Sequence, residues 1–169
     1  MPEAPFCIFV PVVFDSCFNS ASVIGTVPCT GTVTACTALS PTCSFYGAVL
    51  VTSTAAFDTY TLTYRVTLPV TYTCTVGAVS TTSSTTLLGS TQATLNVPLG
   101  IAPVDAAYCL PYSPTCNAPS SGNLSGTVCV ELKTLAMSQL LVTADFCTPV
   151  TACGPLATCP VPSYSPVVL

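Results

Sequence analysis

The chain has very little charge. Glu3, Asp15, Asp58, Arg65, Asp105, Glu131, Lys133 and Asp145 are its charged residues, 5% of 169, against about 25% in ordinary soluble proteins. Two cations cannot neutralise a phosphate backbone, which argues against a nucleic-acid partner. Histidine and tryptophan are absent. Without histidine, the most common general acid or base and the most common metal ligand are both missing. The six carboxylates are scattered and form no motif. A serine or cysteine nucleophile would have only Lys133 as its base. Glycine-rich phosphate loops are absent as well. No catalytic residues, cofactor or metal site are expected.

Long apolar runs are also missing. Residues 16–57 carry no charge but are broken by Pro28, Pro41 and many Ser and Thr. No window supplies the roughly 18–20 consecutive apolar residues of a spanning helix. The N-terminus, MPEAPFCIFVPVVFD, lacks a basic region and a clear cleavage site, and Pro11 interrupts its apolar stretch. No secretory signal is expected.

What is present is β-structure. Tyr60, Leu62, Tyr64, Val66 and Leu68 alternate with Thr59, Thr61, Thr63, Arg65 and Thr67. After Pro69 the alternation resumes, with Val70, Tyr72, Cys74 and Val76 against Thr71, Thr73 and Thr75. A period of two over this length means a strand with one buried face. The Thr face suits a pleated surface, because Thr is β-branched and its hydroxyl tolerates water. Further strands are expected at Ile8–Phe14, Ser22–Val27, Gly31–Ala38, Ser44–Ser53, Thr85–Leu88, Gln92–Pro98, Gly126–Thr134 and Ser138–Phe146. A short helix at Leu135–Leu141 is the less favoured alternative to strand. Cys109–Gly126 is rich in Gly, Pro, Ser and Asn and reads as a connection. The fold class is all-β, an antiparallel β-sandwich or Greek-key barrel-like domain over residues 10–147.

Pro-rich arms flank this domain, at residues 1–9 and 148–169. They are expected to be extended, and the C-terminal arm to lie on another subunit. Val10-Pro11-Val12-Val13 and Ser165-Pro166-Val167-Val168 echo each other. Biased composition accounts for the echo; the sharper alternative is two arms that add to the sheet edges of neighbours. Tyr60, Tyr64 and Tyr72 fall on apolar faces and are expected in the core. Glu131 and Lys133, two apart in a strand, share a face and are expected to form a structural ion pair.

Twelve cysteines are present. Six residues separate Cys29 from Cys36, Cys36 from Cys43, and Cys109 from Cys116; five separate Cys147, Cys153 and Cys159. Knuckle spacings are missing, so disulfides are expected ahead of buried thiols or a thiolate metal site. Sequence does not reveal their connectivity. The candidates for disulfides or cross-links are Cys7, Cys17, Cys29, Cys36, Cys43, Cys109, Cys116, Cys147, Cys153 and Cys159. Bridges between subunits are expected at Cys7, Cys17, Cys147, Cys153 and Cys159, while Cys74 and Cys129, within strands, are expected to be simply buried.

The order of segments carries a resemblance. Val10-Pro11-Val12-Val13-Phe14 leads to a Cys-containing β-region, then Phe45-Tyr46-Gly47-Ala48-Val49, Tyr60 to Leu68, and a Val97-Pro98-Leu99 step. Thr127-Val128-Cys129-Val130-Glu131-Leu132 and Leu140-Leu141-Val142-Thr143-Ala144 close it. Over roughly residues 8–147 this resembles the SPOCS-type domain of clostridial spore coat and exosporium proteins. The chain departs from that domain in having almost no Lys or Glu and more Thr. The resemblance implies a cysteine-rich spore-layer protein, made without a signal peptide and oxidised as the layer matures. The expected function is a structural subunit that assembles with copies of itself into a lattice or filament on a spore or cell surface. An exported pilin-like filament subunit and a secreted adhesin or carbohydrate-binding module are the alternatives.

Overall fold

The computed structural model describes residues 7–118, 122–141, 151–153 and 159–160. They form β1 (Cys7–Thr26), β2 (Thr32–Ala38), β3 (Thr42–Ser53), β4 (Phe57–Val76) and β5 (Val79–Pro98). A single helical turn, α1 (Pro103–Ala106), precedes β6 (Ala107–Asn117), β7 (Asn123–Leu141) and the short β8 (Thr151–Ala152). The sheet runs β2-β4-β5-β1-β7-β6, with β3 also on β4 and β8 on β1. It curls until it is nearly closed, an all-β barrel-like fold as expected.

β4 sets the inside and the outside. Leu62, Tyr64, Val66, Leu68, Val70, Tyr72 and Cys74 are all buried, each second residue without a break. Each large apolar side chain removed from water contributes roughly 1.5–3 kcal/mol. Leu87 and Leu95 of β5, Val23 of β1, and Val128, Val130 and Leu132 of β7 complete the core.

Pro69 does not interrupt the strand because of where it sits. β3 pairs with β4 as far as Thr42↔Thr67, and β2 resumes the pairing at Ala38↔Val70. Pro69 lies at the gap between them, where its carbonyl accepts the Leu39 N–H at 2.9 Å. Its nitrogen faces the same gap, so the missing N–H removes no ladder bond. β4 then turns into β5 through two residues. Gly77, at φ +60°, supplies the left-handed conformation that such turns need.

Three expectations are corrected. Residues 107–117, nine of them in the stretch read as a connection, form β6. Pro111 and Pro114 are tolerated because β6 is an edge strand with a bulge between Tyr112 and Thr115. β1 begins at Cys7, one residue before the strand expected at Ile8–Phe14 and within the stretch 1–9 assigned to the arm, and the Val10–Val13 segment pairs with Leu135–Ser138 of the same chain. Part of the C-terminal arm returns to its own barrel: Thr151–Ala152 pairs in parallel with Cys17–Phe18, and Cys153 N–H donates to the Phe18 carbonyl at 2.9 Å. The Ser165–Val168 echo lies outside the described residues.

Candidate functional site

The sheet has two weak joints. At the first, β1 and β5 pair only through Val23↔Gly89 and Ile24↔Leu88. Gly89 permits that approach, since a Cβ there would collide with the Ser22 carbonyl oxygen. Beyond it the strands diverge, and side chains bridge the gap. Asn19 Nδ2 donates to the Gln92 carbonyl at 3.0 Å, and Thr91 Oγ1 to the Ser20 carbonyl at 3.3 Å. Asp15 Oδ2 accepts the Asn96 N–H at 2.8 Å.

The second joint is where the curled sheet brings its two outer edges together. Among the described residues, no ladder joins β6 to β2 or β3. Disulfides join them instead, Cys36–Cys116 between β2 and β6 and Cys43–Cys109 between β3 and β6, with Cα atoms 5.7 and 6.0 Å apart. Both cysteines of β6 must face inward for this. Seven positions apart, they would lie on opposite faces of a regular strand. The bulge, with Ser113 at φ 45°, absorbs one residue, so Cys109 and Cys116 oppose Leu132 and Gly126, six apart on β7.

Three further bridges are present: Cys17–Cys153, Cys29–Cys74 and Cys129–Cys159. Cys74 and Cys129 are buried, as expected, but each is bonded. Cys29 reaches Cys74 from the β1–β2 connection, and Cys159 returns from the tail onto β7. Cys17, Cys153 and Cys159, expected to cross-link subunits, are bonded within their own chain. Cys7 opens β1, and Cys147 lies outside the described residues.

The tail is also held by Tyr112, whose Oη donates to the Pro160 carbonyl at 3.0 Å. Burial raises the pKa of the Tyr112 phenol, and the negative charge of Glu131 raises it further. Glu131 is fully buried and meets Lys133 Nζ at 3.0 Å, the ion pair expected from their spacing. Tyr64 and Tyr72 are buried, and Tyr60 packs against the core. Among the described residues, no group of three or more His, Cys, Asp and Glu is placed to hold a metal ion. No helix among them is long and apolar enough to cross a membrane.

The outer face of β4 and β5 is a ladder of hydroxyls and amides. Thr61 pairs with Thr94 at 3.2 Å, Thr75 with Ser80 at 2.9 Å, and Thr59 with Asn96 at 2.8 Å. Gln92 donates to Thr63 at 3.0 Å. Arg65 interrupts this array, its guanidinium 4.4 Å from the centroid of the Tyr46 ring. Beside it lies an open groove of about 720 Å³, lined by Tyr46, Thr63, Arg65, Thr67, Leu88, Gly89 and Ser90. On β3, Val49, Leu50 and Val51 are consecutive and all more than half exposed. No residue of β3 is charged.

No protein-family profile, no curated protein and no solved structure matches this chain. The five disulfides among the described residues fit a protein that matures in oxidising surroundings, as extracellular proteins do.

Proposed function

We propose that this chain is a structural, non-catalytic subunit that assembles with copies of itself into a disulfide-stabilised layer or filament. The observation that carries this is the edge of β3. Native sheets protect exposed edges with lysines, other charges or bulges that twist the edge away. Beyond the Cys43–Cys109 joint, β3 has two bulges as its safeguard but no charge, and it presents Val49, Leu50 and Val51 to solvent. In an ordinary monomer such an edge invites aggregation; in a subunit it is a contact. The segment order resembling spore-layer domains supports a spore or cell surface as the place of assembly, and the disulfides suit a layer that must endure.

Leu50→Lys tests this. It places a protecting charge on the edge, where the side chain is already exposed, and leaves the core intact. Purified wild-type protein is expected to form ordered polymers visible by negative-stain microscopy, and the variant to melt at the same temperature but to polymerise far less. A wild-type protein that stays monomeric at high concentration under oxidising conditions would rule the proposal out.

A further inference from the structure

Charge is so scarce that the few charged groups met by no opposite charge stand out. Among the described residues, Glu131 pairs with Lys133, while hydrogen bonds hold Asp15 and Asp58. Arg65 and Asp105 remain. Both are exposed, and neither meets an opposite charge among the described residues.

The two occupy different surfaces. Arg65 lies on the outer face of the sheet, opposite Ser90 in the middle of β5. Asp105 lies on α1, beyond the end of β5, next to Val104, which is 61% exposed. From Ser90 to Pro98 the strand advances about 25 Å at roughly 3.3 Å per residue. The two charges therefore do not meet within one chain.

We propose that Val104 and Asp105 of one copy dock into the groove beside Arg65 of the next. This rests on the self-assembly proposed above and names one of its contacts. The chemistry is complementary. A guanidinium held against an aromatic ring presents a fixed fork to a carboxylate. Leu88, half exposed, and the Tyr46 ring offer apolar surface to Val104. An exposed ion pair alone contributes little, so the apolar contact supplies attraction while the charges set orientation and exclude other registers. Because the two patches differ, the contact is heterologous and propagates from copy to copy into a ring or an open filament.

The test is charge reversal in the full chain, read by sedimentation velocity and negative-stain microscopy without reductant. The variants are Arg65→Glu, Asp105→Lys and the two combined, together with an equimolar mixture of the single variants. Both positions are exposed, and each variant is expected to melt like the wild type. Each single variant is expected to raise the concentration needed for assembly by about tenfold or more. The double variant and the mixture are both expected to restore assembly, since every contact is then again between opposite charges. Single variants that assemble like the wild type, or a double variant that does not recover, would overturn this contact and leave self-assembly standing. A wild type that never assembles would remove both.

Discussion

Cys43 on β3 and Cys109 on β6 are bonded across a joint that no hydrogen-bonded ladder spans. Cys36 and Cys116 repeat the arrangement one strand along. The barrel is thus held shut covalently at the place where its backbone does not pair. Sequence separations of 66 and 80 residues mean that each bond removes much freedom from the unfolded chain.

Replacing Cys43 and Cys109 together with alanine is therefore expected to lower stability by about 2–4 kcal/mol. Denaturant unfolding under non-reducing conditions measures it. An unchanged midpoint would mean that packing alone closes the joint.

Gly89→Ala strikes the opposite joint. The added methyl meets the Ser22 carbonyl oxygen, which cannot move without parting β1 from β5. A loss of about 1–3 kcal/mol is expected, as for other overpacked sites. Faster amide exchange at Val23 and Gly89 than at distant core positions would localise the damage; uniform exchange would argue against it.

Asp15 acts near the same joint through hydrogen bonding. Its two carboxylate oxygens accept the Ser16 and Asn96 N–H groups at 2.9 and 2.8 Å. Asp15→Ala leaves both donors without that acceptor and is expected to cost about 1–3 kcal/mol. Asp15→Asn keeps one acceptor oxygen, so thermal melting should place it between the wild type and the alanine variant.

Tyr64 gives the fold a pH dependence. Its hydroxyl is fully buried with no hydrogen-bond partner among the described residues, and burial pushes its pKa well above the usual 10. The neutral phenol is thus favoured in the folded state, whereas the unfolded chain ionises near pH 10. Stability from this group is complete below pH 10 and falls as pH rises beyond it. Tyr64→Phe removes the unpaired hydroxyl, so it is expected to melt no lower than the wild type at pH 7 and to show a flatter decline above pH 10. An equally steep decline would assign the alkaline loss to other groups.

The alternation in residues 60–76 determined by itself which side chains β4 buries and which it shows. Side-chain direction in a strand has a period of two, and that is a local property of the backbone. The Glu131–Lys133 pair was legible for the same reason. β6 was not, because Pro111 and Pro114 look like breakers until the strand is known to lie at an edge. The fate of Cys74 and Cys129 was hidden as well. A disulfide depends on which backbones are brought within about 6 Å, and here that followed from how far the sheet curls. Curling is a collective outcome of twist, bulges and the β1–β5 divergence, set by contacts between residues far apart in the chain. The same holds for Arg65. Its isolation among threonines could be read from the sequence, but the groove beside it and its distance from Asp105 exist only once the strands are aligned.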